Sequence, residues 1–149
     1  MLNTRQLIAG FFMAALCTAP LAAHAGEPPA VGCSVSVTYL LNRVVRSTYA
    51  TDFTVTPTAP FADDFSTAVR FRYFDALASR DADGKATDVS ISYYNDVGVF
   101  EFVDLRTALS VREDRRPQTT SGEHTYWSSL GVAGEHTTRW VLTCEALKD

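Results

Sequence analysis

Two cysteines carried on the same alternating pattern, near opposite ends of the chain, restrict the fold more than any other feature. In CSVSVTYL, residues 33 to 40, Cys33, Val35, Val37 and Tyr39 share one face while Ser34, Ser36 and Thr38 share the other. A period of two is the pattern of a half-buried strand. The same alternation returns in TTRWVLTCEAL, residues 137 to 147, where Thr138, Trp140, Leu142 and Cys144 fall on one side. Both thiols therefore point to the apolar side of their own strands. A bond between them would tie the first strand to the last and close a loop of about 110 residues.

Whether such a bond persists depends on the compartment, and the first residues speak to that. MLNTRQLIAGFFMAALCTAPLAAHA carries Arg5, an apolar run from Leu7 to Leu16, and small residues ending in Ala23-His24-Ala25. This is the layout of a secretory signal peptide over residues 1–25, with cleavage before Gly26 and a single domain over 26–149. Thr18, Pro20 and His24 break the run before the roughly 20 apolar residues that a membrane span needs, so no span is expected in the mature chain. Cys17 follows Leu16, where lipid attachment wants a small residue, and so belongs with the leader. The expected location is the periplasm or the extracellular medium. There, the two remaining cysteines, Cys33 and Cys144, pair as a disulfide.

Removing Arg5 with the leader takes the formal charge from −4 to −5. A mildly acidic chain without clustered cations is not built to track a phosphate backbone, so no nucleic acid is expected as a partner. No histidine and cysteine grouping has zinc-finger spacing.

Strand patterns continue through STYATDFTVTP, TAVRFRYFDAL, TDVSISYYND, GVFEFVDLRTALSV and GEHTYWSSL. The connections are too short for parallel crossovers, so neighbours are antiparallel. The expected fold is all-β, an antiparallel β-sandwich of about seven strands, with a small closed β-barrel as the alternative. LLNRVVR, residues 40 to 46, is ambiguous between a strand extension, a bulge and a helical turn. TPTAPFADDF, residues 56 to 65, reads as a loop whose Phe61 and Phe65 plug the edge of the core.

RDADGKATD, residues 80 to 88, resembles a calcium loop at Asp81, Asp83 and Gly84, with Asp88 as a further oxygen donor. It lacks the first aspartate and last glutamate of an EF-hand frame, and Asp-Gly between two strands is sufficient for a hairpin turn. A second weak cation site could form at His124 and His136, since GEHTYW and GEHTTRW repeat one another across SLGVAG. With nearby carboxylates these histidines could also serve a small secreted hydrolase or metal-dependent enzyme. That reading needs both rings within about 4 Å of a common point, with an acid behind one. No cofactor is otherwise expected. Glu101 sits among apolar neighbours on its strand, and Arg70, Arg72 or Arg106 is the expected partner.

The strongest functional hint is aromatic residues on both sides of successive strands. A sandwich should show polar side chains on its outer faces. Phe74, Tyr94, Phe102 and Tyr126 are the candidates for an aromatic surface offered to a partner. The VREDRRP tip, with Arg112, Arg115 and Arg116, is a second candidate contact. The functional expectation is an exported, non-enzymatic binding or protein-interaction domain whose partner is another cell-envelope or extracellular protein. A structural component that pairs edge strands between copies is a further possibility, favoured by an unprotected edge of five or more residues.

Overall fold

The computed structural model describes residues 29–114 and 116–147; residues 1–25, read above as a leader, and Arg115 lie outside that range. Eight strands follow in order: β1 (Val31–Leu41), β2 (Val44–Val55), β3 (Phe61–Asp64), β4 (Arg72–Arg80), β5 (Ala86–Gly98), β6 (Glu101–Arg112), β7 (Gln118–Ser128) and β8 (Gly134–Ala146). They form two four-stranded antiparallel sheets, β2-β1-β8-β7 and β3-β4-β5-β6. The sheets do not close on one another, so the fold is a sandwich and not a barrel.

β1 and β8 lie side by side at the centre of the first sheet. Cys33 is directly opposite Cys144 in their register, and the two form a disulfide. The alternation that turned both thiols to one face also placed Val35 opposite Leu142 and Val37 opposite Trp140 on that face. On the neighbouring edge strand, Gly122 stands opposite Trp140, and a Cβ there would come within 2.2 Å of the indole. Only glycine lets that ring lie over the β7 backbone.

One departure from expectation and one resolved ambiguity have local causes. The eighth strand is β3, four residues lifted out of what reads as a loop. Its pairing with β4 turns Phe61 inward, and Phe61 and Phe65 pack on the core as expected. LLNRVVR is a hairpin. Asn42 and Arg43 both have positive φ, 51° and 66°, which is what a two-residue turn between right-twisted strands requires. A bulge at Tyr39/Leu40 absorbs the resulting register change.

Between the sheets, Val35, Val37 and Leu142 from the first face Phe74, Ile91, Tyr93 and Val103 from the second. Tyr49, Phe53, Phe61 and Phe74 join them in an aromatic cluster with ring centroids 5.2–6.0 Å apart. Phe74 is thus a core residue, only 1% exposed, and not part of an outward surface. Tyr49 donates a hydrogen bond from its hydroxyl to Asp63 Oδ2 at 2.9 Å, so the one carboxylate on this inner edge has a donor.

Candidate functional site

The two ends of the sandwich differ in chemistry. At the disulfide end, Asp81 Oδ1 accepts from the backbone N–H groups of Lys85 (2.7 Å) and Ala86 (3.0 Å), and Gly84 adopts φ 66°. The RDADGK segment is therefore a hairpin turn tied by its own aspartate. The N–H of Ala86 does most to hold the Asp81 carboxyl below the usual carboxylate range. Asp88 is on β5, opposite Ser110, and among the described residues no three acids, histidines or cysteines gather as metal ligands. The neighbouring VREDRRP tip is knitted by Arg80 to Glu113 and Arg112 to Asp114, leaving Arg116 exposed.

At the other end, four connections meet. Asn42 N–H donates to Glu135 O at 2.8 Å, joining the β1–β2 turn to the start of β8. Gly131 of the β7–β8 loop lies against Phe100 of the β5–β6 turn; a Cβ at 131 would sit 2.3 Å from that of Phe100. Asp96 N–H bonds Phe71 O at 3.2 Å, which fixes the connection into β4 beside them. These connections expose Val44, Val69, Val99, Phe100, Trp127 and Leu130, with Phe100 at 70%, Trp127 at 72% and Leu130 at 82%. Phe100 also holds φ 58°, a left-handed conformation that costs a bulky residue about 1–2 kcal/mol. Little packing offsets it, so stability alone does not account for that side chain.

The aromatic residues on the outer face of β3-β4-β5-β6 are continuous with this end. Tyr73 and Tyr94 are directly opposite one another, with ring centroids 6.0 Å apart. Tyr94 is 6.2 Å from Phe102 and 5.6 Å from Phe71. Phe71 is 60% exposed and Phe102 48%. The segment 56–67 does not roof this face, because Phe61 and Phe65 turn to the core. Tyr94 and Phe102 therefore stand where the alternation put them, and Phe71 and Tyr73 join them in place of Phe74. Asp75, beside Tyr73 on the outer side, and Ala76, beside Phe74 on the inner, carried the signal for that choice.

Tyr126 belongs elsewhere. It is on β7, opposite His136, and stacks on that ring at 4.8 Å and 11°. Trp127, its neighbour, points away from the sandwich, whereas Trp140 points in. His136 is 1% exposed. Its Nε2 lies 3.0 Å from Val132 O and its Nδ1 2.7 Å from the Tyr39 hydroxyl. A carbonyl can only accept, so Nε2 carries the proton and Nδ1 accepts from Tyr39. Neither nitrogen has a lone pair left for a metal or for a substrate proton. His124 is exposed, two positions along β7, against Tyr126. The hairpin across SLGVAG forms, but it does not bring the two imidazoles to a shared ligand.

Burial raises the Tyr39 hydroxyl to about 12, with the charge of Glu101 adding to it. A folded value above the ordinary 10 means that this group's stabilisation is complete below pH 10 and is lost as pH climbs through about 12. Tyr39→Phe leaves His136 Nδ1 buried without a donor and is expected to cost about 1–3 kcal/mol at pH 8. Urea unfolding at pH 8 and at pH 12 checks both points, since the gap between wild type and variant should shrink at the higher pH.

Glu101 is buried, and its partner is Arg46 of β2, at 3.1 and 3.3 Å. This arginine reaches across from the other sheet, in place of Arg70, Arg72 or Arg106. Arg70 instead pairs with Asp96 at 2.9 Å, and Arg106 lies 3.9 Å from Asp104. No helix among the described residues is long and apolar enough to cross a membrane. No protein-family model, curated protein or solved structure matches the chain.

Proposed function

We propose that this chain is an exported, non-enzymatic binding domain, and that it engages another cell-envelope or extracellular protein through the outer face of β3-β4-β5-β6. The observation that carries this reading is the uncovered aromatic group Phe71, Tyr73, Tyr94 and Phe102 on a sheet face where polar side chains are the rule. The apolar loop end, with the strained Phe100, adjoins it and extends the contact surface. Support for export comes from the leader-like residues 1–25 and from the Cys33–Cys144 disulfide, a bond at home in oxidising compartments. Aromatic side chains are the residues that most often dominate binding energy at interfaces.

The test is capture of partners from the native cell envelope by the mature domain. Tyr94→Ala and Phe102→Ala should each lose a partner that Arg112→Ala, at the opposite end, retains. Unchanged recovery with all three variants would remove the face from consideration.

A second reading rests on β7. Among the described residues it pairs with β8 alone, its eleven-residue register runs without a bulge, and beyond Gln118, whose amide meets Ser110 and Arg112 of β6, no strand pairs with its other edge. Such an edge suits pairing with a second copy. Light scattering across a hundredfold concentration range tests this: a dimer at high concentration supports it, and a monomer throughout rules it out.

A further inference from the structure

The aromatic face carries carboxylates in register with its rings. Asp64 of β3 is opposite Tyr73 of β4, Tyr73 is opposite Tyr94 of β5, and Tyr94 is opposite Asp104 of β6. One row thus reads Asp, Tyr, Tyr, Asp across all four strands. With neighbouring strands about 4.8 Å apart, the two acids are separated by roughly 14 Å. In the adjoining row, Phe71 and Phe102 flank Asp96. On the far side of the Tyr pair, Asp75 is opposite Ala62 and Ser92.

The local cations cancel only part of this charge. Arg70 is committed to Asp96, and Arg106 lies near Asp104 with both side chains largely in water. Neither Asp64 nor Asp75 has an ion-pair partner among the described residues. Asp64 is held ionised by the hydroxyl and N–H of Ser66, which depress its carboxyl below the ordinary range. A second copy of this acidic chain would bring like charge to the face, so the complement comes from a different molecule.

We infer that the Asp64-Tyr73-Tyr94-Asp104 row docks a lysine- or arginine-rich segment of a partner protein. This deepens the binding-face reading and rests on it. Ring faces attract ammonium and guanidinium groups through their quadrupole, and the flanking carboxylates add a Coulomb term that neither sugars nor acidic segments would share. Exposed pairs of this kind are individually weak, so the contact draws its affinity from several at once and weakens as salt is added.

The experiment uses fluorescence anisotropy with two labelled probes, a (Lys-Gly)5 peptide and its (Glu-Gly)5 counterpart, on the mature domain. The lysine probe should bind and the glutamate probe should not. Raising salt from 50 to 300 mM should weaken binding several-fold. The double variant Asp64→Asn with Asp104→Asn should raise Kd about tenfold, as should Tyr94→Ala, while Asp52→Asn, at an exposed acid of β2 on the other sheet, leaves it unchanged. Near-UV circular dichroism confirms that each variant keeps its fold; the acids are solvent-exposed, so the Asn variant isolates charge from packing. Equal affinity for both probes, no binding of the lysine probe, or indifference to the Asn pair would overturn the inference. If envelope capture still depends on Tyr94 and Phe102 in that event, the face remains the binding surface and only its preference for cations falls.

Discussion

The double variant Cys33→Ala with Cys144→Ala is expected to lose about 4–5 kcal/mol of unfolding free energy, the value the chain-entropy account gives for a loop of about 100 residues. The bond spans 111 residues, and so restrains nearly all of the described chain in its unfolded form. It also joins the two central strands of one sheet, β1 and β8, whose pairing brings together segments far apart in sequence. Without it, closing that pairing costs the full entropy of a long loop. Urea unfolding of wild type and variant under oxidising conditions measures the loss. A difference under about 1 kcal/mol would show that the strand pairing holds without covalent help.

Phe74→Ala should cost about 3–5 kcal/mol, the range for deleting a buried ring from a close-packed core. Its ring touches members of both sheets: Tyr49 and Phe53 of β2 lie 5.4 and 5.2 Å away, and Phe61 of β3 lies 6.0 Å away. Removing it opens a void that neither sheet can fill alone. Tyr73→Ala, one residue earlier but on the outer face, should cost much less. The contrast is read by urea unfolding of the two variants side by side, and near-equal losses would mean that the faces of β4 have been assigned the wrong way round.

That pair of neighbours also shows where the sequence was readable and where it was not. Alternation announces a strand and separates its two faces, which is why the β1 and β8 patterns located the disulfide. It does not say which face is inside when both carry rings. On β4 the decision lies in the small Ala76 beside Phe74 and the charged Asp75 beside Tyr73, a weaker signal than the aromatics themselves. β3 escaped notice because four residues after Pro57 and Pro60 are too few to show a period. The Asn42-Arg43 turn was hidden because arginine seldom takes positive φ.

Contacts across the two sheets were the least legible. The pairing of Glu101 with Arg46, and of His136 with Tyr39, joins strands whose relative placement depends on how the layers stack. Periodicity within one strand carries no information about that stacking. Of the candidate surface, Tyr94 and Phe102 were nameable as aromatics beside inward candidates, but that they face out is settled by the burial of their neighbours Tyr93 and Val103. Their acidic companions were not legible as such, since Asp64 and Asp104 meet the tyrosines only once the registers of three strand pairs are known.

Because Val31 is opposite Ala146 in the β1–β8 ladder, the backbone enters and leaves the sandwich at neighbouring points beside the charged hairpins. A bead, dye or fused protein attached next to Val31 or next to Ala146 would be carried at that pole. The hydrophobic pole around residues 99–100 would then stay unobstructed, like a brush head held by its handle.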